Sequence, residues 1–103
     1  MAILEISVVP IGTGTANLSD QLAALPALLE ASGLTYRIHP MGTTIEGGLE
    51  ELFALARRLH EAGFEGGCRR VLTHVILDDR RDLDRPMEEK VSRLLAAARE
   101  RGR

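Results

Sequence analysis

Aromatic side chains are scarce in this 103-residue sequence, at 3%: one tyrosine, two phenylalanines and no tryptophan. Any core must therefore come from Leu, Val, Ile and Ala, and few rings are available to stack on a flat ligand. There is a single cysteine, Cys68, which excludes an internal disulfide and a cysteine zinc cluster. No apolar run approaches the roughly 20 residues that span a bilayer. The N-terminus lacks a basic stretch followed by a long apolar segment, so no secretory signal is expected and a reducing, cytoplasmic setting is. A basic excess is missing too. The formal net charge of −2 gives no footprint for nucleic acid or for an anionic membrane.

Apolar residues are plentiful at 45%, which excludes disorder. The length fits a single domain over residues 1–103. A domain of this size leaves much of its surface outside, and self-association is a common remedy.

Hydrophobic periodicity divides the chain cleanly. Ala2 to Val9 alternates as a strand, with Ala2, Leu4, Ile6 and Val8 on one side and Ile3, Glu5, Ser7 and Val9 on the other. Pro10, without an N–H to donate, is expected to end it. The loop Ile11 to Asn17 contains Gly12-x-Gly14, but the third glycine of a dinucleotide fingerprint would fall on Asn17, so the loop reads as a flexible connection. Leu18, Leu22, Leu25 and Leu29 predict a helix over 18–32, capped by Asn17 or Ser19, kinked by Pro26 in its interior, and stopped by a left-handed Gly33. Thr35 to His39 is a second strand. His39-Pro40-Met41-Gly42 fits a type I turn with a following glycine bulge, returning into a third strand from Thr43 to Glu46. A second helix runs from Leu49 to Ala62 with Leu49, Leu52, Phe53, Ala56 and Leu59 as its stripe. Gly63-Phe64 repeats the Gly33-Leu34 ending. Arg69 to Leu77 is the last strand, followed by the charged run Asp78-Asp79-Arg80-Arg81-Asp82. Pro86 opens a final helix reaching about Arg101, with Met87, Val91, Leu94, Leu95 and Ala98 as its stripe.

The order βαββαβ plus a helix, with right-handed crossovers, predicts an α+β, ferredoxin-like sandwich. It has a four-stranded antiparallel sheet, the first and third strands in the middle, and both main helices on one face. The opposite face carries Ile3, Val9, Leu72 and Ile76, too apolar for open water. A second copy of the chain, helped by the third helix, is the expected cover.

Parity places a polar strip within that bare face. Glu5 and Ser7 come from the first strand, Thr44 and Glu46 from the third, His74 from the fourth, and Arg37 and His39 from the second. Each has a plain alternative. Glu46 either supplies an acid to the start of the second helix or contacts a ligand. Thr43, Thr44 and Ser7 are also ordinary strand residues. His39 and His74 lack metal-ligand spacing, so no metal is expected. The Asp78–Asp82 run is a solvated loop or a set of salt bridges between subunits, and Arg80 and Arg81 are candidates for holding a phosphate.

The opening Ile6-Ser7-Val8-Val9-Pro10-Ile11-Gly12, the run Tyr36 to Gly47 with its Met-Gly-Thr-x-Ile-Glu-Gly core, Arg70-Val71-Leu72-Thr73 leading into Asp78–Asp82, and Lys90-Val91 together resemble the thiamine-binding-protein (YkoF-like) family over nearly the whole chain. The resemblance implies a ferredoxin-like fold assembled into dimers or tetramers. It also implies a small-molecule binding protein, for thiamine or its hydroxymethylpyrimidine part. Seen in that light, Glu46 with Thr44 or Ser7 can satisfy the donor and acceptor edges of an aminopyrimidine. Glu5 suits a thiazolium cation, and Thr43, His39 and His74 complete the candidate ligand set.

No cofactor, nucleic acid or membrane partner is expected. Catalysis is not expected either: no arginine follows the first strand as an acylphosphatase loop would need, and no Ser-His-Asp or Cys-His arrangement is readable. Two rival readings stand beside the binder. One is an oligomeric regulatory or assembly module, and the other is a small-molecule enzyme on the same fold.

Overall fold

The computed structural model describes residues 1–102. Four strands and three helices follow one another as β1 (Ala2–Ile11), α1 (Leu25–Ser32), β2 (Thr35–His39), β3 (Gly42–Gly47), α2 (Leu49–Ala62), β4 (Arg70–Asp78) and α3 (Met87–Arg101). The strands form one antiparallel sheet in the order β2-β3-β1-β4. This is the expected ferredoxin-like α+β arrangement.

Side-chain alternation decides which face is core. Leu4 lies opposite Ile45 on β3 and Leu77 on β4, and Ile6 lies opposite Thr43 and Val75. Leu4 and Ile45 are wholly enclosed, together with Leu29 of α1 and Leu52 and Leu59 of α2. Each such leucine contributes about 1.5–3 kcal/mol relative to exposure. Ile3, Glu5, Ser7 and Val9 point to the opposite face, as do Arg37, His39, Thr44, Glu46, Leu72, His74 and Ile76 by the same register.

Several local expectations are corrected. Pro10 does not end β1; it pairs with Val71, and Ile11 with Arg70. β3 accompanies β1 only as far as Ile6, so Pro10 sits where β1 is an edge on one side and a missing N–H is tolerated. Pro26 does not kink a long helix. It occupies the first turn of a shorter one, where its absent N–H would be unsatisfied in any case. The segment before it is a turn, closed by Leu22 N–H to Leu18 C=O at 3.0 Å. Asn17 Oδ1 accepts the Ser19 N–H at 3.0 Å and caps that turn instead of α1. Gly33 is left-handed as expected, but Gly63 is right-handed with φ −61°. Its reason is space: a Cβ there would lie 2.8 Å from a Val8 methyl. On α2 the buried stripe is Leu52, Leu55, Ala56, Leu59 and Ala62, and Phe53 faces water.

The β2–β3 hairpin closes through Pro40 and Met41, with His39 paired to Gly42. Gly42 has φ +156°, and a Cβ on it would lie 2.6 Å from the Ile6 carbonyl oxygen. The hairpin and β1 thus meet at a point where only glycine fits. Gly42→Ala is expected to cost about 1–3 kcal/mol, read as a lower denaturation midpoint in urea with an unchanged slope. A midpoint equal to the parent's would show that β1 yields at this contact.

Candidate ligand site

β2, β3 and β1 lie side by side, so alternate residues from each meet across the face opposite α1 and α2. One row across the sheet is Arg37–Thr44–Glu5–Ile76, and the next is Thr35–Glu46–Ile3–Asp78. From the neighbouring row His39 reaches back to Thr44, with Nε2 3.0 Å from Oγ1. The same nitrogen is 3.8 Å from Glu5 Oε2. Three predicted residues, Glu5, His39 and Thr44, are thereby brought into one polar cluster, half open to water, in which His39 and Thr44 are hydrogen-bonded and Glu5 lies beside them.

The first turn of α3 descends onto this face. Pro86 occupies its N-cap position and offers no side-chain acceptor, so the helix needs one from elsewhere. Glu46 supplies it: Oε2 accepts the Met87 N–H at 2.7 Å, with the glutamate only 8% exposed. A carboxylate is well matched to the positive end of a helix dipole. Two exposed ion pairs flank this bond, Arg37 with Glu88 and Lys90 with Asp78. Glu46 therefore does not serve the second helix, the plain alternative weighed for it; it serves the third.

Between the roof of α3 and the sheet lies a cleft of about 340 Å³, lined by Ile3, Arg37, His39, Thr44, Met87 and Lys90 among others. The other predicted residues fall elsewhere. Thr43 is buried on the helix-facing side of β3, opposite Ile6. It borders a second cleft of about 340 Å³ with Leu22, Pro26, Leu29 and Met41, which Ser7 and His39 also touch. His74 is exposed on β4 opposite Ser7. Of the predicted set, Thr44 lines the first cleft, Ser7 and Thr43 the second, and His39 both, while Glu5, Glu46 and His74 line neither. Among the described residues no group of three or more His, Cys, Asp or Glu side chains is placed to hold a metal ion.

The family described as "Thiamine-binding protein" matches residues 4–95. The chain belongs to the thiamine-binding-protein family. It is 42% identical over 95 residues to UPF0045 protein YqgV of Bacillus subtilis, covering 88% of this chain and 91% of that one. It is 39% identical over 92 residues to a UPF0045 protein of Methanothermobacter thermautotrophicus, covering 88% and 93%. A solved hypothetical protein of Methanocaldococcus jannaschii superposes with a TM-score of 0.81 at 24% identity, covering 90% and 94%, a likeness of fold.

The run that carries the resemblance to the thiamine-binding-protein family, Pro40 to Gly47, is now placed. Pro40 and Met41 turn the hairpin, Gly42 passes under the Ile6 carbonyl, Thr43 and Thr44 face opposite clefts, and Glu46 holds α3. Sequence reasoning expected the third helix to help cover this face but missed that its Met87, Glu88 and Lys90 line a cleft there. A signal for it was present: a helix opening at Pro86 has no side-chain cap of its own, and Glu46 is an acid on the face that the third helix was expected to help cover.

Replacing Glu46 by Ala removes the cap acceptor, a loss of about 1–2 kcal/mol. Hydrogen exchange is expected to accelerate by about tenfold or more for the amides of Met87 to Val91, while those of β1 keep their protection. Uniform loss across the sheet, or none at α3, would contradict this role.

Proposed function

We propose that the chain is a non-catalytic binder of a small heterocycle, thiamine or its hydroxymethylpyrimidine part, and that the cleft beneath α3 receives it. The observation that carries this reading is the hydrogen-bonded pair His39 and Thr44 lining a cleft of about 340 Å³, with Glu5 3.8 Å behind His39, in a chain of the thiamine-binding-protein family. The volume falls in the range of about 300–1,000 Å³ typical of ligand pockets. His39 and Thr44 present a donor and an acceptor side by side, which is what an aminopyrimidine edge requires. Glu5 sits where a cationic ring would be stabilised. With no aromatic residue in the cleft lining, Ile3, Met87 and Val91 supply the apolar contact.

Calorimetric titration with thiamine should show saturable binding. Thr44→Val and Glu5→Gln are each expected to weaken it about tenfold, the scale of one lost hydrogen bond or one lost partly screened charge pair. These are better probes than Glu46, whose removal also releases α3. The absence of heat with both thiamine and hydroxymethylpyrimidine at millimolar concentration would defeat the reading.

The same reading includes self-association. Leu72 and Ile76 of β4 and Val91, Leu94 and Leu95 of α3 are exposed, Ile76 at 63% and Leu94 at 71%. The described residues have extents of 52 × 32 × 20 Å and a radius of gyration of 15.9 Å. A compact chain of about 100 residues has about 13 Å. A homodimer or homotetramer that covers these side chains accounts for both features. Light scattering is expected to give a multiple of 11.2 kDa, and Leu94→Asp with Ile76→Asp should shift it to the monomer. A monomeric parent protein would refute the assembly.

A further inference from the structure

The charged run after β4 has no part in the function above. Its Arg80, with Arg85, Lys90 and Arg93, lines another cleft of about 310 Å³ whose only acidic lining residue is Asp78. This cleft shares Ile3 and Lys90 with the one beneath α3, so the two are adjoining lobes of one depression. Their charges differ. The first lobe is lined by one carboxylate, Glu88, against Arg37 and Lys90, and the second carries three guanidinium groups and Lys90 against Asp78 alone. Three of the four cations have partners: Arg80 with Asp82 at 2.6 Å, Arg85 with Glu89 at 3.5 Å and Lys90 with Asp78 at 2.6 Å. All three pairs are substantially exposed, and such pairs are worth only about 0–1 kcal/mol, so an incoming anion can exchange for them. Arg93 has no ion-pair partner among the described residues.

We propose that this second lobe is an anion subsite, and that the ligand is a phosphate ester of the heterocyclic alcohol. Its ring would lie against His39 and Thr44 and its phosphate among Arg80, Arg85 and Arg93. The inference deepens the binding function proposed above and rests on it for the ring, not for the phosphate. Arginine is suited to the task because its planar fork offers two parallel donors to a phosphate. Lys90, common to both lobes, stands where the ester oxygen would cross from one to the other.

The test is calorimetry with three probes, thiamine, thiamine monophosphate and inorganic pyrophosphate, against the parent protein and Arg85→Ala/Arg93→Ala. Both arginines lie at the surface, so the double variant should fold. The ester is expected to bind about tenfold more tightly than thiamine, as one or two charge-assisted bonds would give. That advantage should vanish in the double variant and shrink with rising salt. Equal affinity for ester and alcohol in the parent, or an advantage that survives in the double variant, overturns the subsite. If neither thiamine nor its ester binds, the heterocycle reading fails and pyrophosphate decides the lobe alone. Binding that is lost in the double variant sustains an anion site, and no binding overturns it.

Discussion

The bond from Met87 N–H to Glu46 is the contact on which the candidate site depends. It joins the middle of the sheet to a helix whose other ties to the domain are the buried Met87 side chain and two exposed ion pairs. A carboxylate this far from water has to be met by donors, since an unpaired buried charge costs several kcal/mol. The helix has the converse need, because the Met87 N–H has no helical acceptor and Pro86 offers no side-chain one. One residue answers both. The roof of the cleft is consequently fixed relative to β3, and the distance from α3 to Thr44 and His39 follows from it.

The second constraint is the period of two along β3. Thr43 and Thr44 are chemically alike and adjacent, yet one faces α1 and the other faces α3. A register slip of one residue would exchange them and drive Ile45 into water. Leu4 opposite Ile45 prevents that slip, and Gly42 under the Ile6 carbonyl pins the near end of the strand. The polar strip is therefore positioned by the apolar one on the other side of the same strands.

The fold was legible because its signals are local: alternation in β1 and β4, glycine punctuation at Gly33 and Gly48, and a helical stripe at Leu52, Ala56 and Leu59. The misread points share one cause. Pro10, Pro26, Asn17 and Gly63 were judged from their own neighbours, and their roles are settled by which strand or turn lies beside them. The site was half legible. Parity brought Glu5, Thr44 and His39 together correctly. It could not show that Glu46 is occupied by a helix starting 41 residues later, because that pairing depends on how the β4–α3 loop returns across the sheet.

What α3 does beyond its first turn ties the proposed site to the proposed assembly. The helix has 15 residues, and of its apolar stripe only Met87 is buried. An isolated helix of that length is marginal in water, and the single cap from Glu46 adds only about 1 kcal/mol. The remaining support has to come from whatever covers Val91, Leu94 and Leu95. In the proposed homo-oligomer that cover is another subunit, which would then steady the same helix whose first turn roofs the ligand cleft. Ligand and partner would act on opposite ends of one element, so any change in how firmly α3 is held is felt at both.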